Sequence, residues 1–249
     1  MKAVFVAIFA CLAGPLAAQG SLGITGASLS VGVIEDEAGA TQVEGAAVVD
    51  VAITDVHGFQ GDLVFADTAS GAVGALGAHL YMAPRRGQKY GLFATLGDID
   101  GRALTYVSLG AEGMLALNSR TTLEGQAGIG AANDGNLDYI FASLALSRAL
   151  STSTVIEAAL DVAEFDEMAL RAVSYDTSLT ARYSPEGAPW GLYAQISHGG
   201  LTGRDARAGK TRIGLGLTMT FGTSGGTSPK TRPFRSIDPL APLMRRGLW

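Results

Sequence analysis

The sequence predicts an all-β fold: a closed antiparallel up-and-down transmembrane β-barrel of about twelve strands. Apolar and polar residues alternate with a period of two along much of the chain. Charged residues make up 16% of it, below the roughly 25% usual in soluble proteins. Beyond the N-terminus, no apolar stretch approaches the roughly 20 residues of a membrane-spanning helix. A membrane protein without such helices must close a barrel, because every backbone amide needs a partner in lipid.

The first 20 residues are predicted to be a signal peptide. Lys2 supplies a positive charge, residues 3–12 an apolar core, and Gly14-Pro15 the break before small residues at a cleavage site. The single cysteine, Cys11, lies inside this apolar core. The mature chain, from residue 21 onwards, is therefore expected to hold no disulfide, thiol catalyst or thiolate metal site.

The last predicted strand shows the alternation most clearly. From Ile213 to Phe221 every odd position is large and apolar, and every even position is Gly or Thr. A strand puts these two sets on opposite faces, whereas a helix would scatter them around its circumference. Similar segments between turn signals give twelve predicted strands, at 22–36, 41–55, 58–67, 72–83, 90–98, 103–118, 120–132, 137–149, 153–164, 168–184, 189–199 and 210–221.

Two of these strands carry the weakest signal, so a barrel of about ten strands is the alternative. They are 58–67 and 137–149, and in the second of them both faces are apolar. Most connections are tight-turn sequences such as Asp100-Gly101. The connection from Gly199 to Lys210 is the one predicted outer loop of modest length, so the barrel is expected to be small and plain.

Charged side chains recur on the polar face of these strands, which in a membrane barrel lines the lumen. Pairs such as Glu44 with Asp50 could serve acid–base chemistry. Hydration of the lumen, or ion pairing with arginines such as Arg212, is the favoured interpretation because ion pairs are commonly structural. The candidate lumen-facing residues are Glu44, Asp50, Asp62, Glu112, Glu124, Glu157, Asp161, Arg171, Asp176 and Arg182.

Charge is divided unevenly between the predicted barrel, residues 21–222, and a C-terminal tail, residues 223–249. The tail holds five basic residues and one acidic residue, a net of +4. Without the tail and Lys2, 12 basic and 22 acidic residues remain, a net of −10 that argues against nucleic-acid binding. The Gly, Ser, Thr and Pro content of residues 223–249 predicts that they form a flexible periplasmic tail. Docking onto an anionic membrane, into the acidic lumen or onto the cell wall are the alternatives.

No catalytic, metal or cofactor site is predicted. His198 follows Ser197, but neighbours on a strand point to opposite faces and form no simple nucleophile–base pair. His79 has no second histidine or carboxylate at metal-ligand spacing, so it is interpreted as structural. The Gly-rich stretches 71–77 and 125–130 lack the strand–loop–helix setting of a nucleotide site.

Through its export signal and its final strand, Ile213 to Phe221, the chain resembles the porin-like superfamily of Gram-negative outer-membrane barrels. In that superfamily, an alternating last strand with an aromatic end is similar to the signal read by the barrel-assembly machinery. The resemblance covers about residues 21–222 and identifies no particular family. One departure is that 28 residues (249 − 221) follow Phe221, whereas the signal usually ends the chain.

The resemblance implies an outer-membrane location, with lipid, the barrel-assembly machinery and small ions or solutes as partners. The favoured function is transport through a small porin-like pore whose acidic lumen weakly prefers cations. The alternatives are a non-conducting anchor barrel whose tail contacts a periplasmic partner, and a barrel that binds a small molecule. The chain is similar in strand number to the outer-membrane phospholipase, but it lacks that enzyme's type of site, so no enzymatic activity is expected.

Overall fold

The computed structural model describes residues 23–101, 104–133, 137–168, 170–222 and 228–248. The predicted signal peptide, residues 1–20, lies outside these ranges. The strands are β1 (Ile24–Asp36), β2 (Thr41–Ala52), β3 (His57–Thr68), β4 (Gly71–Arg85), β5 (Gln88–Ile99), β6 (Leu104–Asn118), β7 (Thr121–Ala132), β8 (Leu137–Ala149), β9 (Thr154–Asp166), β10 (Arg171–Tyr183), β11 (Trp190–Gly203) and β12 (Arg207–Gly222).

The twelve strands form a closed antiparallel up-and-down barrel, as predicted. Each strand pairs with its neighbours in the chain, and β1 pairs with β12 to close the sheet. Both weakly signalled strands are present, as β3 and β8. The predicted loop from Gly199 to Lys210 is wrong. The sheet continues through an irregularity in register after Gly199, so β11 extends to Gly203 and β12 begins at Arg207.

The outer face of the barrel is apolar. Leu92, Ile129 and Leu215 are each more than 60% exposed, and they alternate with residues that point inwards. An apolar belt around a closed barrel would be a large exposed patch in water, and it is the surface that a lipid bilayer requires. None of the helices in the described part of the chain is long and apolar enough to cross a membrane.

The two ends of the barrel differ in the segments that they carry. We call the end where β1 begins and β12 ends the proximal end, and the opposite end, with the β1–β2 turn, the distal end. Tyr90, Tyr183 and Trp190 lie on the outer face near the proximal end and are each 46–48% exposed. Aromatic side chains at this level are typical of a membrane–water interface, so the proximal rim marks one edge of the membrane-facing belt.

Aromatic side chains of the inner wall lie across glycines of the neighbouring strand. Tyr139 is paired in register with Gly130, and a Cβ atom at that glycine would lie 2.2 Å from the tyrosine ring. The missing Cβ lets the ring cover the wall, where a side chain would force it into the lumen. The same juxtaposition occurs for Gly58 with Tyr81, Gly97 with Tyr106, Gly110 with Phe93, Gly128 with Phe141 and Gly216 with Tyr193.

We expect Gly130→Ala to destabilise the barrel by about 1–3 kcal/mol, because the new methyl group overpacks a filled site. The unfolding midpoint in urea, followed by heat-modifiable migration on a gel, measures the loss. Gly125→Ala in the same strand is the matched control, since its Cβ meets no atom closer than 4.0 Å. Equal midpoints for the two variants would contradict the proposed role of the glycine.

The lumen is filled by the C-terminal part of the same chain, residues 228–248, which we call the lumen segment. At the proximal end, Ser228 Oγ donates a hydrogen bond to the Arg86 carbonyl at 3.0 Å. At the distal end, the Ser70 N–H donates to the Met244 carbonyl at 3.2 Å. The segment therefore runs the length of the lumen, mostly without regular structure and with one helical turn, α1 (Ala241–Met244).

This arrangement differs from the flexible periplasmic tail expected from composition. It corresponds to one of the alternatives, docking into the acidic lumen. Proline and glycine limit regular secondary structure, but they do not prevent an irregular chain from packing when charged and apolar groups meet complementary surfaces. Leu240 and Leu243 of the lumen segment have no exposed surface.

The distal half of the lumen is an apolar cluster. Leu240, Leu243 and Met244 pack there against inward-facing residues of the wall. The wall residues are Val73, Phe93, Ile99, Tyr106, Ala132, Leu137, Tyr139, Phe141, Ala163, Phe165, Leu170, Ala172 and Leu201. The cluster explains why both faces of β8 are apolar, because one face meets lipid and the other meets the lumen segment.

Candidate functional site

The polar part of the lumen is formed by side chains that alternate with the lipid-facing residues. Its charged members include nine of the ten residues predicted to face the lumen, namely Glu44, Asp50, Asp62, Glu112, Glu124, Glu157, Asp161, Asp176 and Arg182. Five of these acids, Asp50, Asp62, Glu112, Glu124 and Glu157, are less than 9% exposed. Glu44 accepts a hydrogen bond from the Tyr193 hydroxyl at 3.1 Å.

Arg171 is the exception, and its predicted lumen position is wrong. It shares the outward parity of Val173 and pairs with Asp166 at the distal end of β9 and β10, where its side chain is 61% exposed. The prediction followed charge alone, although a charged residue at a strand end can reach water from the outer face. The Arg171 backbone N–H donates to Asp205 in the β11–β12 turn and lowers the pKa of that carboxyl.

Two arginines of the lumen segment meet acids on β9. Arg232 contacts Glu157, which also lies 3.3 Å from Arg182. Arg235 places its guanidinium 3.3 Å from Asp161 and 3.7 Å from Glu157. The carboxylates that the sequence suggested as a pair, Glu157 with Asp161, therefore act here as partners of arginines, as ion pairing predicts.

A second ion-pair group lies beside the first, because Asp176 on β10 is paired in register with Asp161 on β9. Asp176 binds Arg212 of the wall and Arg245 of the lumen segment, the latter at 2.7 Å. Arg246 donates to the Gly199 carbonyl, beside the irregularity in β11. The wall thus binds cationic side chains from two parts of the segment, residues 232–235 and residues 245–246, at neighbouring positions of β9, β10 and β11.

His79 bridges two of the predicted acids. Its Nε2 lies 2.9 Å from Asp62, and its Nδ1 lies 2.9 Å from Glu112. The ring also stacks on Phe234 of the lumen segment, with centroids 5.9 Å apart and planes at 11°. Asp62 stands on β3, which is next to β4, and Glu112 stands on β6, which is separated from β4 by β5. Their proximity therefore depends on the barrel register and is not visible in sequence spacing.

Three polar wall residues outside the predicted set contact the backbone of the lumen segment: Gln60, Lys89 and Gln126. All three are at most 5% exposed and have inward parity. Their signal was present in the alternation, because a long polar residue in a lipid-spanning strand must face the lumen. Their partners are in residues 232–235, which sequence analysis assigned to a flexible tail.

The charges of the wall and of the lumen segment nearly cancel. The eight predicted acids that face the lumen outnumber the three wall bases that pair with them, Lys89, Arg182 and Arg212, by five (8 − 3). A further inward acid, Asp36, pairs with Lys210 and leaves this difference unchanged. The lumen segment brings five basic residues and Asp238, a net of +4 (5 − 1). The segment and the wall that it contacts thus carry complementary charge. The net charge of −10 of the predicted barrel did not by itself indicate that so many of its acids line the lumen.

The residues considered for chemistry lie apart. Ser197 faces the lumen, whereas His198 faces outwards with its Nδ1 at 3.0 Å from the Thr211 hydroxyl. Within the described ranges, no group of three or more His, Cys, Asp or Glu side chains has the geometry to hold a metal ion.

Solved structures with a similar fold include outer-membrane porins and channels. An outer-membrane channel from Pseudomonas putida F1 has a TM-score of 0.60 and 14% identity over 80% of this chain and 96% of its own. The NanC porin has a TM-score of 0.60 and 6% identity over 77% and 98%. The KdgM porin, in complex with disordered oligogalacturonate, has a TM-score of 0.53 and 9% identity over 78% of this chain and 99% of its own.

Neither a known family model nor a curated protein matches the sequence. At these sequence identities the solved structures show the fold of this chain, and they do not identify its substrate. The chain has the fold of the outer-membrane porins and channels, with a lumen that its own C-terminal segment occupies.

Proposed function

We propose that this protein is an outer-membrane pore of the porin type, closed at rest by its own C-terminal lumen segment. The observation that carries the proposal is that residues 228–248 run through the whole lumen and pair their arginines with acids of the wall. A segment of the chain that occupies the lumen along its length obstructs the passage of solutes. Conduction therefore requires the segment to leave, and the proposed role is that of a gated pore.

The open lumen is proposed to prefer cations. Without the lumen segment, the acids at Glu157, Asp161 and Asp176 lose three of their cationic partners. Rings of carboxylates attract cations and repel anions in a narrow pore. The fold of the solved porins and channels supports a pore of this size, and no catalytic role is proposed for the barrel.

A non-conducting anchor barrel is the second candidate. The observation that favours it is the apolar cluster, in which Leu240, Leu243 and Met244 of the lumen segment are buried against the wall of the distal half. In that case the lumen segment would be a permanent part of the fold, and its removal would leave a collapsed or unstable wall.

The two candidates are separated by conductance in a planar bilayer. We expect a chain of residues 21–249 to be nearly silent, and a chain of residues 21–222 to give stepwise currents with a reversal potential that indicates cation preference. Heat-modifiable migration on a gel checks that both chains have folded. Silence from two folded chains would refute the pore and leave the anchor.

A further inference from the structure

The inner wall near Phe234 binds polypeptide backbone through side chains. The Gln60 amide accepts a hydrogen bond from the Phe234 N–H at 2.7 Å and donates one to the Phe234 carbonyl at 3.0 Å. One wall side chain thus satisfies both backbone groups of one residue. A neighbouring strand does the same when a peptide is recognised by strand addition.

Three further wall residues continue this pattern on either side. The Lys89 ammonium donates to the Arg232 carbonyl at 2.9 Å. Gln126 donates to the Arg235 carbonyl at 2.8 Å, and Glu124 accepts from the Arg235 N–H at 2.7 Å. These contacts do not depend on which side chains the bound segment carries.

Side-chain pockets stand beside these backbone contacts. The Phe234 ring is 2% exposed and packs between His79 and Tyr81, with the Lys89 ammonium 4.4 Å from its centre. The guanidinium groups three residues apart, on Arg232 and Arg235, enter the acidic pockets at Glu157 and Asp161.

A wall that only had to be filled would be served by apolar packing, as in the distal half. Around Phe234 the wall instead buries charged and amide groups, which are costly to desolvate unless a ligand with matching groups pairs with them. Backbone contacts together with cationic and aromatic pockets are the elements of a peptide-binding site.

We infer that this part of the lumen is a binding site for an extended basic peptide with two guanidinium groups three residues apart and an aromatic residue between them. The lumen segment is its resident occupant. The inference rests on the proposed function, for which it names a ligand class: a peptide of this type, arriving in trans, competes for the site and displaces the segment from the pore.

The test uses a fluorescent synthetic peptide with the sequence of residues 228–248. Its receiver is the full chain with the double change Arg232→Glu and Arg235→Glu, which weakens the resident segment and leaves the wall intact. We expect the peptide to bind this receiver in detergent, measured by fluorescence anisotropy, at least tenfold more tightly than it binds the unaltered chain. A second receiver that ends at Gly222 tests the same wall without a segment.

Two altered peptides separate the specific site from general charge attraction. Methylation of the nitrogen of the residue that corresponds to Phe234 removes the donor to Gln60, and we expect at least a tenfold loss of affinity. Citrulline at the two positions that correspond to Arg232 and Arg235 removes the cations, and we expect a similar loss. Gln60→Met in the receiver is expected to abolish the difference between the methylated and unmethylated peptides.

Absence of binding to both receivers, or equal binding of the methylated and unmethylated peptides, would overturn the inference. Conductance measured on the same preparations distinguishes a failure of the inferred peptide site from a failure of the proposed pore function. Currents without peptide binding would leave the pore and refute the peptide site. Binding without currents would leave the site and refute the pore.

Discussion

Reversing the charges of Arg232 and Arg235 is expected to turn a quiet barrel into a conducting one. Arg232 meets the buried carboxylate of Glu157, and Arg235 meets the partly exposed carboxylate of Asp161. Glutamates at these positions would face these wall acids without a cationic partner from the lumen segment. Removal of one partner of a buried ion pair typically costs about 3–5 kcal/mol, and reversal adds repulsion. The open state should therefore gain at least two orders of magnitude in population relative to the closed state.

The measurement is the open probability of the folded double variant in a planar bilayer, compared with the unaltered chain. Lys230→Glu is the matched control, because this residue belongs to the same segment but its ammonium contacts the Asp55 carbonyl at the exposed proximal end. We expect the control to stay quiet. If the double variant is folded and equally quiet, the ion pairs do not hold the segment in place.

Placing a charge in the apolar cluster is expected to release the distal part of the lumen segment. Leu243 is fully buried among aromatic and aliphatic side chains of the wall. Truncation to alanine would cost about 2–5 kcal/mol through lost contacts and a cavity. Leu243→Asp should cost more, because an unpaired carboxylate must also be desolvated.

Trypsin provides the readout, since Arg245 and Arg246 follow the cluster directly and are partly buried in the folded chain. We expect cleavage after these arginines to be at least tenfold faster in Leu243→Asp than in the unaltered protein, with Leu243→Ala between them. Leu215→Ala makes the same truncation on the lipid face, where the side chain is 64% exposed, and should leave the rate unchanged. Equal rates for all four proteins would mean that the cluster does not retain the segment.

The barrel itself could be predicted from sequence because lipid on one side and a polar lumen on the other impose a strict alternation. The predicted strand 137–149 coincides with β8, even though both of its faces are apolar. The loop that was wrongly predicted between Gly199 and Lys210 has a local explanation. Gly199-Gly200 resembles a turn, but it lies at an irregularity within a pair of strands that continues beyond it.

The content of the lumen could be predicted only in part. The sequence showed an acidic body and a basic tail, which made docking one of several alternatives. Which groups meet could not be derived, because Gln60 and Phe234 are 174 positions apart and come together only once the barrel has closed in one register. Leu240 and Leu243 suggested a membrane surface equally well, since apolar residues do not specify which apolar environment buries them.

The lumen segment follows β12 with only residues 223–227 in between, so it is a ligand tethered to its own receptor. A short tether holds such a ligand at an effective concentration on the order of millimolar. A free peptide of equal intrinsic affinity must approach that concentration before it occupies half of the sites. The tether therefore sets a threshold: dilute peptides of moderate affinity leave the barrel closed, and only an abundant or much tighter ligand opens it.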